Sequence, residues 1–283
     1  MTNDNARLII ALGMIKRVGP AKISSFVRKN GYDYDRCMRA APKYFGITQK
    51  EFESYLEDAE ADILSNNDKG SSVISLLDDG FPKSLCECSN PVVLLYYRGN
   101  IELLSSNNIT VIGTRKPDRE FVEKGFTLVS KLAEHGFTIV SGLALGCDTV
   151  AHEAALRFGA PTIAVLPTPC DKPYPNTNRE LAEEIVRRNG LLISEYSAGT
   201  EFSKFHLTAR DRIQSMLSEK LVVIQATDDG GSMIAVRRSV DDGKEVFALT
   251  GNRLGLIDLY INPESEADVI KLVRAYGQMR FAV

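Results

Sequence analysis

The segment from Ile109 to Gly142 constrains the fold more than any other part of the chain. It reads ITVIGTRKPDREFVEKGFTLVSKLAEHGFTIVSG: an apolar run, a Gly-Thr-Arg turn, an amphipathic stretch and a second apolar run. An apolar strand that leads through a glycine into a helix is typical of a buried parallel sheet, since the helix crosses back over the sheet before the next strand. The N–H groups at the start of such a helix attract anions. We therefore expect a phosphate or another anion at this edge.

The same alternation of strands and helices continues along most of the chain. Strands are predicted over residues 91–98, 108–113, 137–141, 161–167, 191–196, 220–226 and 245–250. Helices are predicted over residues 119–135, 149–158, 178–189, 204–217 and 232–241. Strands that are apolar on both faces and are separated by helices of this length predict a doubly wound parallel sheet that is covered on both sides.

Two further regions flank this α/β segment. Residues 1–66 show helical periodicity, with helices predicted over 4–15, 21–29 and 49–64, and the polar stretch SNNDKGSS (65–72) is a candidate linker. The sequence thus predicts a small helical domain over 1–66, the α/β domain over 67–262 and a helical tail over 263–283. The segment IKRVGPAKI (15–23) is similar to a SAM-like helix-hairpin-helix, whose amides contact DNA phosphates without reading sequence. A plain helical accessory domain is the alternative.

Composition excludes several classes of protein. No apolar run approaches the roughly 18 residues of a membrane span, and the N-terminus lacks the basic region of a signal peptide. The five cysteines form no paired C-x-x-C spacing, so we expect a reduced cytoplasmic protein with no metal and no cofactor. The net charge of −3 argues against a globally basic nucleic-acid binder, but it leaves room for a local basic groove.

Three loops that follow strands are rich in glycine and hydroxyl residues and lead into helices, so their helix N-termini converge on one edge of the sheet. The alternative for each glycine is a tight turn. The spacing G-x-G-x-x-G is absent, which makes an ordinary NAD dehydrogenase a poor fit. The candidate phosphate-binding residues in these loops are Gly113, Thr114, Arg115, Lys116, Ser141, Gly142, Gly146, Gly230, Gly231 and Ser232.

Basic side chains near a fourth predicted helix are further candidates. Lys204, Arg210 and Arg212 lie in the segment SKFHLTARDRIQSMLS. Arg210 and Arg212 are two residues apart and do not share one face of a helix, so one of them is expected to be structural. A buried Arg212 paired with an acidic neighbour is that alternative. For Arg115 the alternative is a surface pair with Asp118 or Glu120.

Several motifs together resemble the DNA-processing protein A (DprA/Smf) family, and their order and spacing hold from about Leu77 to Gly251. The motifs that carry the resemblance are IGTR (112–115), SGLALGCDT with AH (141–149 and 151–152), YPN with NRELA (174–176 and 178–182), SEY (194–196), RDRI (210–213), GS (231–232) and GKEVFA (243–248). The resemblance implies an extended Rossmann fold that binds single-stranded DNA, forms a homodimer and helps to load a RecA-type recombinase during natural transformation. It implies no catalysis.

The sequence departs from the family pattern at several positions of the expected DNA edge. Leu145 replaces an arginine, Asp118 a serine and Asp211 an asparagine, and the usual aromatic-proline pair is Leu207-Thr208. Stacking of a base on an aromatic ring contributes about 1–3 kcal/mol, so Leu207 weakens such a site unless Phe205 substitutes. We expect no counterpart in this chain of the winged-helix domain that is common in the family. We therefore expect a divergent member.

The same superfamily supports a second hypothesis, a sensor of a nucleotide or a nucleotide-derived signal, with phage defence as one setting for it. A hydrolase is disfavoured. Phosphoribohydrolases of this superfamily need a glutamate soon after their glycine loop, whereas here GGS (230–232) leads to Met233, Ile234, Ala235 and Val236. Asp148, Glu195 and His152 offer an acid–base set, but no nucleophile–base pair accompanies them, and His152 is expected to be a packing residue.

Overall fold

The computed structural model describes residues 3–277, in two compact units. The smaller unit consists of Met1–Arg98, Thr168–Asp171 and Ile193–Glu201, and the larger unit contains the rest of the chain. Within residues 3–277 no helix combines the length and the apolar character needed to cross a membrane. In the same part of the chain, no three His, Cys, Asp or Glu side chains gather as a metal site would require.

The smaller unit is mainly helical. Its elements are α1 (Asp4–Met14), α2 (Pro20–Lys29), α3 (Tyr34–Phe45), α4 (Gln49–Asp68), β1 (Ser72–Ser75), α5 (Lys83–Cys86) and β2 (Leu94–Gly99). Leu8, Leu12, Phe26, Phe52 and Ile63 form part of its buried interior. α1 and α2 are joined by a short turn in which Arg17 has a positive φ of 64°. The helix-hairpin-helix similarity falls on this turn.

The boundary expected near residue 66 lies inside α4, which runs to Asp68. The polar residues of the candidate linker are part of the unit's hydrogen-bond network. Asn66 is only 2% exposed. Its side-chain amide donates to Ser197 Oγ at 2.9 Å, and its side-chain oxygen accepts from the Ala198 N–H at 2.9 Å. A buried asparagine with these partners fixes the end of the helix, so the linker expectation does not hold at this residue.

Strand β2 differs from the expected parallel arrangement. It pairs antiparallel with β1, which the sequence did not predict, through the register Ser72↔Tyr97 to Ser75↔Leu94. The helix between them, α5, has four residues and is thus about 6 Å long. A helix this short does not cross back over a strand, and an antiparallel return needs no such crossover.

The larger unit has the predicted doubly wound α/β architecture. Its strands are β3 (Asn108–Ile112), β4 (Thr138–Ser141), β5 (Thr162–Val165), β6 (Leu191–Ser194), β7 (Lys220–Val223), β8 (Glu245–Leu249) and β9 (Leu259–Ile261). The first two residues of β6 belong to this unit and the last two to the smaller one. The intervening helices are α6 (Arg119–Glu134), α7 (Cys147–Phe158), α8 (Arg179–Arg187), α9 (Lys204–Met216) and α10 (Met233–Asp241), and α11 (Glu266–Gly277) follows β9. The expected tail over 263–283 extends beyond the described residues.

The strand order in this unit is β6-β5-β4-β3-β7-β8-β9. The registers of β3 with β4, β3 with β7, β4 with β5, β7 with β8 and β8 with β9 are all parallel. From β3 the chain first builds outward through β4 to β6 and then returns to the other side of β3 to build β7 to β9. The sheet therefore has a topological switch point between β3 and β7, where α/β proteins commonly bind ligands at the carboxyl edge.

Candidate nucleic-acid interface

A cavity of about 450 Å³ opens at this switch point. It is lined by Gly113, Thr114 and Arg115 after β3, by Ala226, Thr227, Gly230, Gly231 and Ser232 after β7, by Ala144 and Asp148 after β4, and by one face of α9. Its volume lies in the range of small-ligand pockets. A smaller cavity of about 40 Å³ shares Arg115, Ala144, Leu207 and Arg210 with it and is also lined by Gly142, Leu145, Tyr174 and Pro175.

The structure brings only some of the predicted site residues to these cavities. The larger cavity contains Gly113, Thr114, Arg115, Arg210, Gly230, Gly231 and Ser232, and the smaller one adds Gly142. The candidates outside both linings are Lys116, Ser141, Gly146, Lys204 and Arg212. The sequence analysis did not select Thr208 and Gln214. Leu207, Arg210, Asp211 and Gln214 have the spacing of one helix face, and all four line the larger cavity. This spacing is the sequence signal that could have identified Gln214 as part of the cavity wall.

The loop after β3 is held tightly at its first two residues. A Cβ added at Gly113 would lie 2.6 Å from Cys147 Sγ and 2.6 Å from the Gln225 carbonyl oxygen, so only glycine fits. The Thr114 N–H donates to the Gln225 carbonyl at 2.7 Å, and the Thr114 carbonyl accepts from the Cys147 N–H at 3.0 Å. These two residues therefore anchor the loop that presents Arg115.

Arg115 is an exposed cation at the mouth of both cavities. Neither of the carboxylates considered as its surface partner is paired with it. Asp118 accepts from Gln225 Nε2 at 2.6 Å, and Glu120 forms an ion pair with Lys124 at 2.6 Å. Among residues 3–277 Arg115 has no hydrogen bond or ion pair, and its guanidinium is free to bind a ligand.

The loop after β4 does not offer the free amides that its sequence suggests. The Gly142 and Ala144 N–H groups donate to Asp148 Oδ2 at 3.2 and 3.3 Å, and the Leu143 N–H donates to His152 Nε2 at 3.3 Å. An aspartate in the first turn of a helix accepts such bonds from the preceding loop. Ser141 is also engaged, since its hydroxyl donates to the Val111 carbonyl at 2.7 Å. The protein itself supplies the anion that this loop binds.

His152 is a packing residue, as expected. It is fully buried, and its Nδ1 lies 2.8 Å from Thr162 Oγ1. Burial, and after it the nearby positive charge of Arg210, together lower its pKa to about 3. The imidazole is therefore neutral at physiological pH. Its hydroxyl partner, Thr162, is 1% exposed and donates to the Ile139 carbonyl at 2.8 Å, so this hydroxyl is closed to a substrate.

Arg210 was a candidate phosphate-binding residue, but it is only 5% exposed and its guanidinium has partners within the protein. Its guanidinium bonds Asp211 Oδ1 at 3.0 Å and the Val165 carbonyl at 3.1 Å, and it lies 3.8 Å from Asp148 Oδ2. A Cβ added at Gly142 would lie 1.3 Å from its Nη1 atom. Arg210 thus joins α9 to the loop after β4. Its charge is neutralised internally, because a buried guanidinium needs carboxylate partners.

Arg212 is also buried, at 8% exposure, and donates to the Ala209 carbonyl at 2.7 Å. The sequence analysis expected one of the two arginines to be structural and gave a buried Arg212 paired with an acidic neighbour as the alternative. Both are buried, and Arg210 has two carboxylates beside it. The exposed cation of this segment is Lys204, in the first turn of α9.

The loop after β7 is open to solvent at its centre. Gly231 is exposed, and a Cβ added there would meet no atom within 4 Å. The Gly230 N–H donates to the Thr227 carbonyl at 2.9 Å, which closes the turn before α10. Ser232 is the N-cap of α10, and its side chain makes no capping hydrogen bond. The start of α10 therefore lies at the cavity, and the Ser232 hydroxyl there does not cap the helix.

Asp211 is the titratable group of interest in the cavity wall. Burial raises its pKa to about 6, although the charges of Arg210 and Arg115 lower it and that of Asp148 raises it. Burial likewise raises the pKa of Asp148, against the opposing charge of Arg210. Near neutral pH the Asp211 carboxylate is ionised and faces the same space as the Arg115 guanidinium, so it opposes an anionic ligand.

The larger unit is a Rossmann-like fold with a cavity and an exposed arginine at its switch point. Known proteins match the chain in sequence and in fold. A family model described as DNA recombination-mediator protein A matches residues 72–255. The DNA processing protein DprA of Streptococcus pneumoniae is 38% identical over 185 residues, 65% of either chain. That of Bacillus subtilis is 30% identical over 216 residues, 72% of this chain and 69% of the relative.

Solved structures agree with these relatives. The X-ray structure of DNA processing protein A from Streptococcus pneumoniae covers 94% of this chain and 92% of its own, with a TM-score of 0.67 and 29% identity. A structure of DNA processing protein A from Helicobacter pylori, described for its single-stranded DNA binding mode, covers 73% of this chain and 97% of its own, with a TM-score of 0.65 and 30% identity. The chain belongs to the DNA recombination-mediator protein A (DprA/Smf) family.

Proposed function

We propose that this protein binds single-stranded DNA at the carboxyl edge of its larger unit and acts as a recombination mediator of the DprA/Smf type. The observation that carries the proposal is Arg115, an exposed guanidinium without a protein partner in the described residues, at the mouth of the cavity at the switch point. A guanidinium of this kind binds a phosphate in bidentate fashion. Membership of the family and the DNA-binding relative from Helicobacter pylori support it.

The proposal divides the candidate residues into two groups. The first group contacts the phosphates. It consists of Arg115 and Lys116 in the loop after β3, the exposed Lys204, and Gly231 and Ser232 in the open loop after β7. The second group holds these loops in place. It consists of Gly113, Thr114, Ser141, Gly142, Gly146, Arg210, Arg212 and Gly230. Gly146 belongs to it because a Cβ there would lie 2.5 Å from the Thr114 carbonyl oxygen.

The proposal also covers the protein's partners and its location in the cell. A mediator of this type works in the cytoplasm as a homodimer, and it hands its strand to a RecA-type recombinase in DNA uptake and transformation. Sedimentation at working concentration tests the dimer, since a monomer would remove that part. A recombinase strand-exchange assay on DNA covered by a single-strand-binding protein tests the loading step. Faster exchange in the presence of the protein is the expected result.

The direct test of the proposal is titration of a labelled oligonucleotide at two salt concentrations. We expect binding at low salt that weakens as salt rises, because each phosphate contact with a single strand contributes about 0.7 to the slope of log K against log salt. Absence of micromolar binding at low salt would refute the DNA-binding function.

A second candidate, a nucleotide sensor, is favoured by one observation. The cavity of about 450 Å³ has the size of a small-ligand pocket. Thermal-shift measurement with a panel of nucleotides separates the two functions, because a ligand at 100 times its dissociation constant stabilises the folded state by about 2.7 kcal/mol. A shift of several degrees with one nucleotide, together with weak DNA binding, would replace the first proposal by the second.

A further inference from the structure

Three aromatic side chains of the larger unit are exposed: Tyr174, Phe202, whose ring contacts that of Tyr174, and Phe205, three residues after Phe202 in the chain. Phe205 is 85% exposed, Phe202 43% and Tyr174 39%. The rings of Tyr174 and Phe202 are stacked, with centroids 4.7 Å apart and planes 18° apart. Aromatic rings are usually buried for their apolar area, so a stacked pair left open to solvent, next to a third exposed ring, is a surface suited to another flat group.

The surroundings of these rings identify the kind of flat group. Tyr174 lines the smaller cavity together with Arg115, and Lys204 is an exposed cation between Phe202 and Phe205 in the chain. Rings that alternate with cations match a strand of unpaired nucleotides, in which bases alternate with phosphates. Leu207 lies in the same small cavity and has no ring to offer. The exposed rings are therefore the stacking surface that this edge of the larger unit presents.

We propose that Tyr174, Phe202 and Phe205 form a stacking platform for the unpaired bases of the strand whose phosphates meet Arg115 and Lys204. The inference rests on the proposed function and deepens it, because it specifies that the ligand must contain bases as well as phosphates. The platform does not read sequence, since every base presents a flat face to a ring.

The test compares two oligonucleotides of equal length and charge, an oligothymidylate and its abasic counterpart. Wild-type protein is expected to bind the oligothymidylate more tightly than the abasic strand, by about five- to a hundredfold for each stacked base. The double variant Phe202→Leu/Phe205→Leu keeps apolar side chains but removes two rings, and it is expected to lose most of this preference. Its affinity for the abasic strand should equal that of wild type.

Phe158→Leu is the matched control. Phe158 is 40% exposed at the last residue of α7, the end of the helix remote from the carboxyl edge. This variant is expected to keep the wild-type preference for bases.

The chain also contains no tryptophan, so Phe205→Trp introduces a single fluorescent reporter. Quenching of this tryptophan by the oligothymidylate, and not by the abasic strand, is the expected signature of stacking.

The outcomes separate the inference from the function on which it rests. If wild type binds both strands equally, or if the double variant keeps the preference for bases, the platform is refuted while DNA binding stands. If wild type binds neither strand at low salt, the proposed function fails and the platform fails with it. If the double variant changes only the sedimentation of the protein, the rings contact a second copy of the chain, and the platform is again refuted.

Discussion

The loop after β4 and the loop after β7 lie at the same edge of the sheet but differ in what occupies them. In the first, Asp148 accepts the N–H groups of Gly142 and Ala144, and the buried Arg210 lies against the loop. In the second, Gly231 has open space around it. A glycine-rich loop before a helix thus either binds a carboxylate of the protein itself and serves as scaffold, or leaves its amides open to an anionic ligand. The partners of its amides decide which of the two it is.

The largest expected effect concerns the closed loop. Asp148→Ala removes the acceptor of two amides and leaves the Arg210 guanidinium buried with one carboxylate fewer, so we expect a loss of about 3–5 kcal/mol of stability. Urea unfolding of the larger unit measures this loss. Glu153→Ala, which changes an exposed carboxylate of the same helix α7, is the control and should stay within about 0.5 kcal/mol of wild type. A small loss at Asp148 would mean that the loop is not held from within.

A pair of glycine substitutions compares the two loops directly. Gly142→Ala places a Cβ 1.3 Å from Arg210 Nη1, so we expect a destabilisation of about 1–3 kcal/mol, typical of overpacking. Gly231→Ala meets no atom within 4 Å and should change the melting temperature little. Equal melting temperatures for the two variants would contradict the division into a closed and an open loop.

A smaller effect is expected from the pH dependence of DNA binding. The pKa of Asp211, raised by burial to about 6, means that the carboxylate is charged above that pH and protonated below it. The charged form repels phosphates, so wild-type affinity should rise as the pH falls from 7.5 to 5. Asp211→Asn should bind more tightly than wild type at pH 7.5, by about 1 kcal/mol for charges several ångströms apart.

At pH 5 the advantage of Asp211→Asn should disappear, because wild type then has a neutral side chain at this position too. Comparison of the variant with wild type at each pH separates Asp211 from the buried Asp148, which is present in both proteins. An advantage that persists unchanged at pH 5 would show that the effect is not electrostatic.

Much of the larger unit could be predicted from the sequence because its signals are local. Apolar runs of strand length and amphipathic helices follow one another in order, and parallel strands bring the loops that follow them to one edge. This argument alone predicted that Gly113 and Arg115 lie at the carboxyl edge of the sheet. Arg115 and the Gly231 loop line the cavity as a result.

What the sequence analysis missed depends on tertiary partners. Arg210 looks like a surface cation in one sequence, and only the approach of Asp148 and of the Val165 carbonyl makes it a buried one. From the sequence Asn66 was assigned to a linker. In the structure it forms a hydrogen bond with Ser197, which is far away in the chain. In both cases a polar residue is buried because distant groups satisfy its hydrogen bonds, and periodicity contains no record of those groups.

The central claim is that Arg115 belongs to the site, and its substitution tests the claim most directly. Arg115→Ala should lower single-strand affinity by about 1.5–3 kcal/mol, the value of a charge-assisted hydrogen bond, and reduce the salt slope by about one phosphate contact. Its melting temperature should match that of wild type. Arg187→Ala is the control, since it removes an equally charged, 71% exposed arginine at the end of α8, remote from the carboxyl edge. If Arg115→Ala binds DNA as Arg187→Ala does, or if it unfolds, then the loop after β3 is scaffold and the account is wrong.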